Sequence, residues 1–70
     1  MLTKRQLELY KKIKAYKDKH EVIPSYDEMA DMMGLVSKSG IERMIGGMEK
    51  RGAVKRMPGL ARSLKLMPLE

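Results

Sequence analysis

Ser37 and Ser39 stand two residues apart, Glu42 follows Ser39 by three, and the cations Lys55, Arg56, Arg62 and Lys65 gather soon after. Groups of this kind accept hydrogen bonds and hold anions; they do not break covalent bonds. Each serine has the chemistry of a helix N-cap, and Ser39 with Glu42 has the spacing of a capping box. A helix opening there also turns free backbone N–H groups outward, where a phosphate is as good a partner as a cap. Lys38 between the serines suits a phosphate as well. Covalent chemistry has no foothold. There is no Cys, and the lone His20 has no carboxylate–Ser partner at an evident spacing. No cluster of metal ligands and no phosphate-cradling glycine loop appears. The sequence therefore predicts a chain that is not an enzyme, needs no cofactor and shows no evident small-molecule site.

The charge is unevenly placed. The net charge of +6 comes from seven basic against six acidic residues up to Leu35, and eight against three from Val36 onward. A basic half on a small domain suits a polyanion, nucleic acid more often than a membrane surface, although solubility alone accounts for much surface lysine. Seventy residues make one domain with one thin core. No apolar run approaches the roughly 20 residues of a membrane span, and no signal peptide is visible. These features predict a cytoplasmic protein without membrane contact.

Three helices and a hairpin must position the polar groups. Thr3 is the candidate N-cap of a first helix whose apolar stripe runs through Leu9, Ile13, Tyr16 and His20, widened by Leu7 and Tyr10. That helix ends between Glu21 and Pro24. Ser25 and Glu28 form a capping box for a second helix, which buries Met29, Ala30 and Met33. Gly34 closes it in a left-handed conformation. The third helix carries Ile41, Met44, Ile45 and Met48 at i, i+3, i+4, i+7 and stops at Gly52. Gly46 and Gly47 weaken it and predict close approach by another element. The eight methionines compensate by flexible packing for a core without Phe or Trp. After Gly52 the period changes to two. Val54, Leu64 and Leu66 point in and Lys55 and Lys65 out, with a Pro58-Gly59 turn between two short strands.

The fold class is therefore mainly α with a small β-hairpin: a winged helix-turn-helix of three helices and a two-stranded wing over residues 1–67, followed by a tail at 68–70. In this architecture the third helix enters a DNA major groove with its leading residues. Lys55, Arg56, Arg62 and Lys65 on the wing would meet phosphates, and Tyr26 near the start of the second helix could reach one. Arg56 could instead lie along the helices through its stem.

The ordered stretches "LTKRQLELYKKIKAY", "IPSYDEMADMMGLVSKSGIERMIGGMEKRGAV" and "GLARSLKL" carry a resemblance. The chain resembles the N-terminal DNA-binding domain of the LexA repressor family, the repressors of the SOS response. Leu2, Thr3, Arg5, Gln6, Pro24, Glu28, Ala30, Gly34, Ser37, Gly52 and Arg62 fall on the family pattern. The resemblance implies sequence-specific binding of double-stranded DNA by a bacterial or phage repressor. Carried over by position, it implies base contacts by Ser37, Ser39, Gly40, Glu42 and Arg43. The family usually has Asn, Ala and an acidic residue where Ser39, Gly40 and Arg43 stand, so its half-site is not carried over. Arg43 suits guanine, and Glu42 suits the cytosine amino group or simply caps the helix. The family's self-cleaving C-terminal domain is not expected in these residues. A single module binds weakly, so the expected partner arrangement is a monomer when free and a homodimer on DNA. The alternative is a winged-helix protein–protein interaction module using Met32, Met57, Leu60 and the Gly46-Gly47 surface.

Overall fold

The computed structural model describes residues 2–56 and 64–68. Within them lie α1 (Lys4–His20), α2 (Tyr26–Met32), α3 (Ser39–Lys50), β1 (Val54–Arg56) and β2 (Leu64–Leu66). The arrangement is the expected one: three helices and a two-stranded antiparallel ribbon. The turn expected at Pro58-Gly59, and with it Met57, Leu60 and Arg62, lies outside the described residues.

Local chemistry sets the helix ends. Thr3 Oγ1 accepts the Gln6 N–H at 3.1 Å while Gln6 Oε1 accepts the Thr3 N–H at 3.1 Å, a complete capping box for α1. Ser25 and Glu28 repeat it for α2, at 3.1 and 2.8 Å. Glu28 also receives the Tyr16 hydroxyl at 2.8 Å, tying α1 to the start of α2. Gly34 has φ +71°, and the Leu35 N–H reaches back to the Ala30 carbonyl at 2.8 Å. The left-handed residue thus closes α2 and turns the chain toward α3. Gly52, at φ +77°, ends α3 in the same way, with the Ala53 N–H on the Met48 carbonyl. α1 ends on Glu21, which adopts φ 61° without being glycine.

The start of α3 departs from the sequence expectation. Lys38 is already helical, with φ −76° and ψ −9°, and its carbonyl accepts the Glu42 N–H at 2.9 Å. The donor that a Ser39–Glu42 capping box would use is therefore taken by the backbone. Ser39 lies inside the first turn, its hydroxyl 2.8 Å from that of Ser37.

Leu9 and Ile13 from α1, Met29 and Ala30 from α2, and Ile41, Ile45 and Met48 from α3 form the core, closed by Ala53, Val54 and Leu64. Burying Ile41 and Ile45 fixes the rotation of α3, because these two positions define its inward stripe. Met44 and Tyr16, expected on core stripes, are half-buried, and His20 is exposed. The Tyr10 hydroxyl donates to the Met67 carbonyl at 2.6 Å and the Met67 N–H to Ala53 at 2.8 Å. The chain leaving β2 is thereby bonded to α1 and to the connection between α3 and β1.

Close approach explains only one of the two adjacent glycines. A Cβ on Gly47 would lie 2.5 Å from Gln6 Nε2, within the side chain that caps α1. A Cβ on Gly46 would meet nothing closer than Arg56 Nη2 at 3.9 Å, an ordinary contact. Gly46→Ala should therefore raise stability by about 0.5–1 kcal/mol, the cost of glycine inside a helix. Gly47→Ala gains the same propensity but displaces Gln6, so it should stabilise less or destabilise. Thermal melts of the two variants separate these outcomes, with about 4–8 °C per kcal/mol for a domain of this size.

Candidate nucleic-acid interface

The chain between α2 and α3 delivers the polar residues to the surface. Val36, Ser37, Lys38, Ser39, Glu42 and Arg43 are exposed and Gly40 is half-buried, while Ile41 anchors the same turn from below. Leu35, Val36, Ser37, Ser39, Gly40 and Arg43 line an open groove of about 250 Å³ at the leading end of α3. Gly40 belongs there for a steric reason, since a Cβ would sit 3.1 Å from Leu35 Cδ1. Its absence lets the first turn of α3 settle on Leu35. The five residues implied as base contacts thus lie at the leading end of α3, Ser37 just before the helix and the other four in its first turns, with the helix rotation fixed by Ile41 and Ile45.

The ribbon adds a second feature. β1 and β2 pair with Val54 opposite Leu66, Lys55 opposite Lys65 and Arg56 opposite Leu64. Val54 and Leu64 are buried and Leu66 is half-buried, so this face of the ribbon packs on the helices. Lys55 and Lys65 share the other face, both exposed. Like charges directly opposite one another destabilise a strand pair. An anion beside the two ammonium groups would relieve that repulsion.

Arg56 is placed differently. Its guanidinium meets Glu49 Oε1 on α3 through Nη2 at 3.0 Å and Nε at 3.1 Å. Its backbone N–H donates to Glu49 Oε2 at 3.2 Å. One carboxylate thus fastens the far end of β1 to the last turn of α3. These bonds, that from the Arg56 N–H foremost, hold the Glu49 carboxyl below its ordinary range. The Arg56 guanidinium is pushed up, chiefly by its hydrogen bond to Glu49, with a smaller contribution from Tyr26. Tyr26, at the first position of α2, is half-buried and packs against the core. Arg62 lies outside the described residues.

The sign of the pH effect follows. A depressed carboxyl contributes stability above its unfolded value and loses it as pH falls through the folded one. The Glu49–Arg56 contact is thus complete at neutral pH and opens only in acid below the usual carboxylate range. Glu49→Gln removes the charge while keeping an acceptor, and it releases the Arg56 guanidinium. The expected result is faster hydrogen exchange at the Arg56 amide and a salt slope of duplex-DNA binding steeper by up to about one, as the freed cation finds a phosphate. Unchanged exchange and an unchanged slope would show that the contact neither holds the ribbon nor occupies Arg56.

Sequence reasoning did not single out Glu49. No local pattern marks it, because a separation of seven residues across the α3–β1 turn becomes a contact only after Gly52 reverses the chain. Among the described residues no three His, Cys, Asp or Glu side chains are grouped to hold a metal ion, and no helix is long and apolar enough to cross a membrane.

A family model described as the LexA DNA binding domain matches residues 1–63. The LexA repressor of Cereibacter sphaeroides is 45% identical over 69 residues, covering 99% of this chain and 30% of the relative. That of Rhodospirillum rubrum is 48% identical over 69 residues, covering 99% and 28%. The chain thus spans under a third of the length of these relatives.

Proposed function

The chain belongs to the LexA DNA-binding domain family, and on that premise we propose that it binds double-stranded DNA sequence-specifically as the DNA-reading part of a transcriptional repressor. The observation that carries the proposal is the open leading end of α3. Ser37, Ser39, Glu42 and Arg43 are exposed there around half-buried Gly40, and the rotation of the helix is set by buried Ile41 and Ile45. In a helix-turn-helix such a surface enters the major groove. Lys38 and the Lys55–Lys65 pair would contact phosphates and set register, leaving α3 to choose sequence. Arg56 serves first to hold the ribbon, through Glu49. Arg62 and Tyr26 complete the proposed phosphate set.

Repression would follow from occupying an operator. One small module buries limited surface, so stable occupancy calls for two copies on two half-sites. A bacterial repressor domain of this kind works on the nucleoid in the cytoplasm. Two of the residues that would serve protein docking are engaged within the domain itself. Met32 packs against the core and Gly47 lies beneath Gln6.

Enrichment of random duplexes followed by sequencing tests the proposal. A single enriched motif, repeated at a fixed spacing, is expected. Failure to retard any duplex even in low salt would overturn DNA binding and favour a protein partner.

A further inference from the structure

We propose that Val36 is a specificity-determining contact that packs on the C5 methyl of a thymine in the major groove, an inference that rests on the DNA-binding reading above. Among the described residues only Val22 and Val36 are large apolar side chains left exposed, at 46% and 107% of the reference surface. Val36 thus touches almost nothing of its own protein. Its neighbour Leu35 turns inward, with its N–H on the Ala30 carbonyl at 2.8 Å and its Cδ1 against the first turn of α3 at Gly40. Lys38 two residues on is already helical. The backbone carrying Val36 is therefore held from both sides, and the side chain, branched at Cβ, is stiff about χ1. Little freedom remains to be lost when it meets a partner.

Position decides which partner. Val36 lines the same groove as Ser37, Ser39 and Arg43. These neighbours offer hydrogen bonds and charge. The base edges of a major groove display donors and acceptors together with one apolar group, the thymine methyl. An exposed isopropyl group beside the hydroxyls of Ser37 and Ser39 and the guanidinium of Arg43 matches that methyl. Isolated apolar side chains are common on protein surfaces and usually contact nothing in particular. The distinction can be measured, because deoxyuridine removes the methyl alone and leaves every hydrogen bond of the base pair intact.

The experiment uses the duplex most enriched from a random pool, with each thymine replaced in turn by deoxyuridine. The expected result is one thymine whose replacement weakens binding by about fourfold, the contribution of one buried methyl. Val36→Ala should weaken binding to the parent duplex and lose sensitivity to that replacement, while melting as the wild type does because Val36 is fully exposed. The inference is overturned if no replacement weakens wild-type binding, or if Val36→Ala keeps the same sensitivity. Either result leaves salt-dependent DNA binding intact. Absence of binding to any duplex in low salt would overturn the underlying reading as well.

Discussion

Binding to duplex DNA should weaken by about 40-fold when salt rises from about 50 to about 200 mM, if Lys38, Lys55 and Lys65 each neutralise one phosphate. Each phosphate contact releases condensed counterions and contributes about −0.9 to the slope of log affinity against log salt. Three contacts over a fourfold change in salt give that factor. If Arg62 and a second cation also engage, it grows to about 500-fold. The ribbon makes the lower figure a firm expectation, because Lys55 and Lys65 face each other across the strands with both side chains exposed. Their mutual repulsion is relieved when each meets a phosphate of its own. Lys55→Gln and Lys65→Gln should each reduce the slope by about one, and the double variant should cost no more than the two singles together. Fluorescence anisotropy across a salt series checks this. A slope near zero would remove the phosphates from the account, and with them the role assigned to the ribbon.

The helices were legible because their signals are local. Thr3 and Ser25 cap within three residues of themselves, and Gly34 and Gly52 close helices through their own backbone conformation. Strand alternation placed Val54 and Leu64 inward for the same reason. The expectations that failed depended on competition or on distance. Ser39 lost its capping role because the backbone of Lys38 was already helical and took the Glu42 N–H. Gly46 and Gly47 look alike in sequence, yet only Gly47 faces Gln6 of α1, since successive helical residues point in different directions and only the packing of α1 decides which one is covered. The hold of Glu49 on Arg56 needed the reversal at Gly52 before it could exist. The surface proposed to face bases falls between these cases. Its residues follow from position in the chain, whereas the exposure of Val36 depends on Leu35 taking the inward place.

The second large effect concerns sequence choice. Arg43→Ala should abolish preference at one guanine of the enriched motif, by about 1–3 kcal/mol or roughly 5- to 150-fold, while leaving other positions unchanged. Ile41 and Ile45 are fully buried, and residue 43 lies opposite both on the helical wheel, so its side chain is directed away from the core. It lines the open groove, and a guanidinium there can meet guanine O6 and N7 with two parallel hydrogen bonds. Arg43→Lys distinguishes the two forms of contact. A lysine keeps the charge but not the planar fork, so it should retain the salt slope and lose most of the guanine preference. A phosphate contact would behave the other way: Arg43→Lys would bind almost as wild type, and Arg43→Ala would weaken all sequences alike and lower the slope by about one. Competition between the enriched duplex and single-base variants, measured for both substitutions, separates a base-reading arginine from one that merely adds charge.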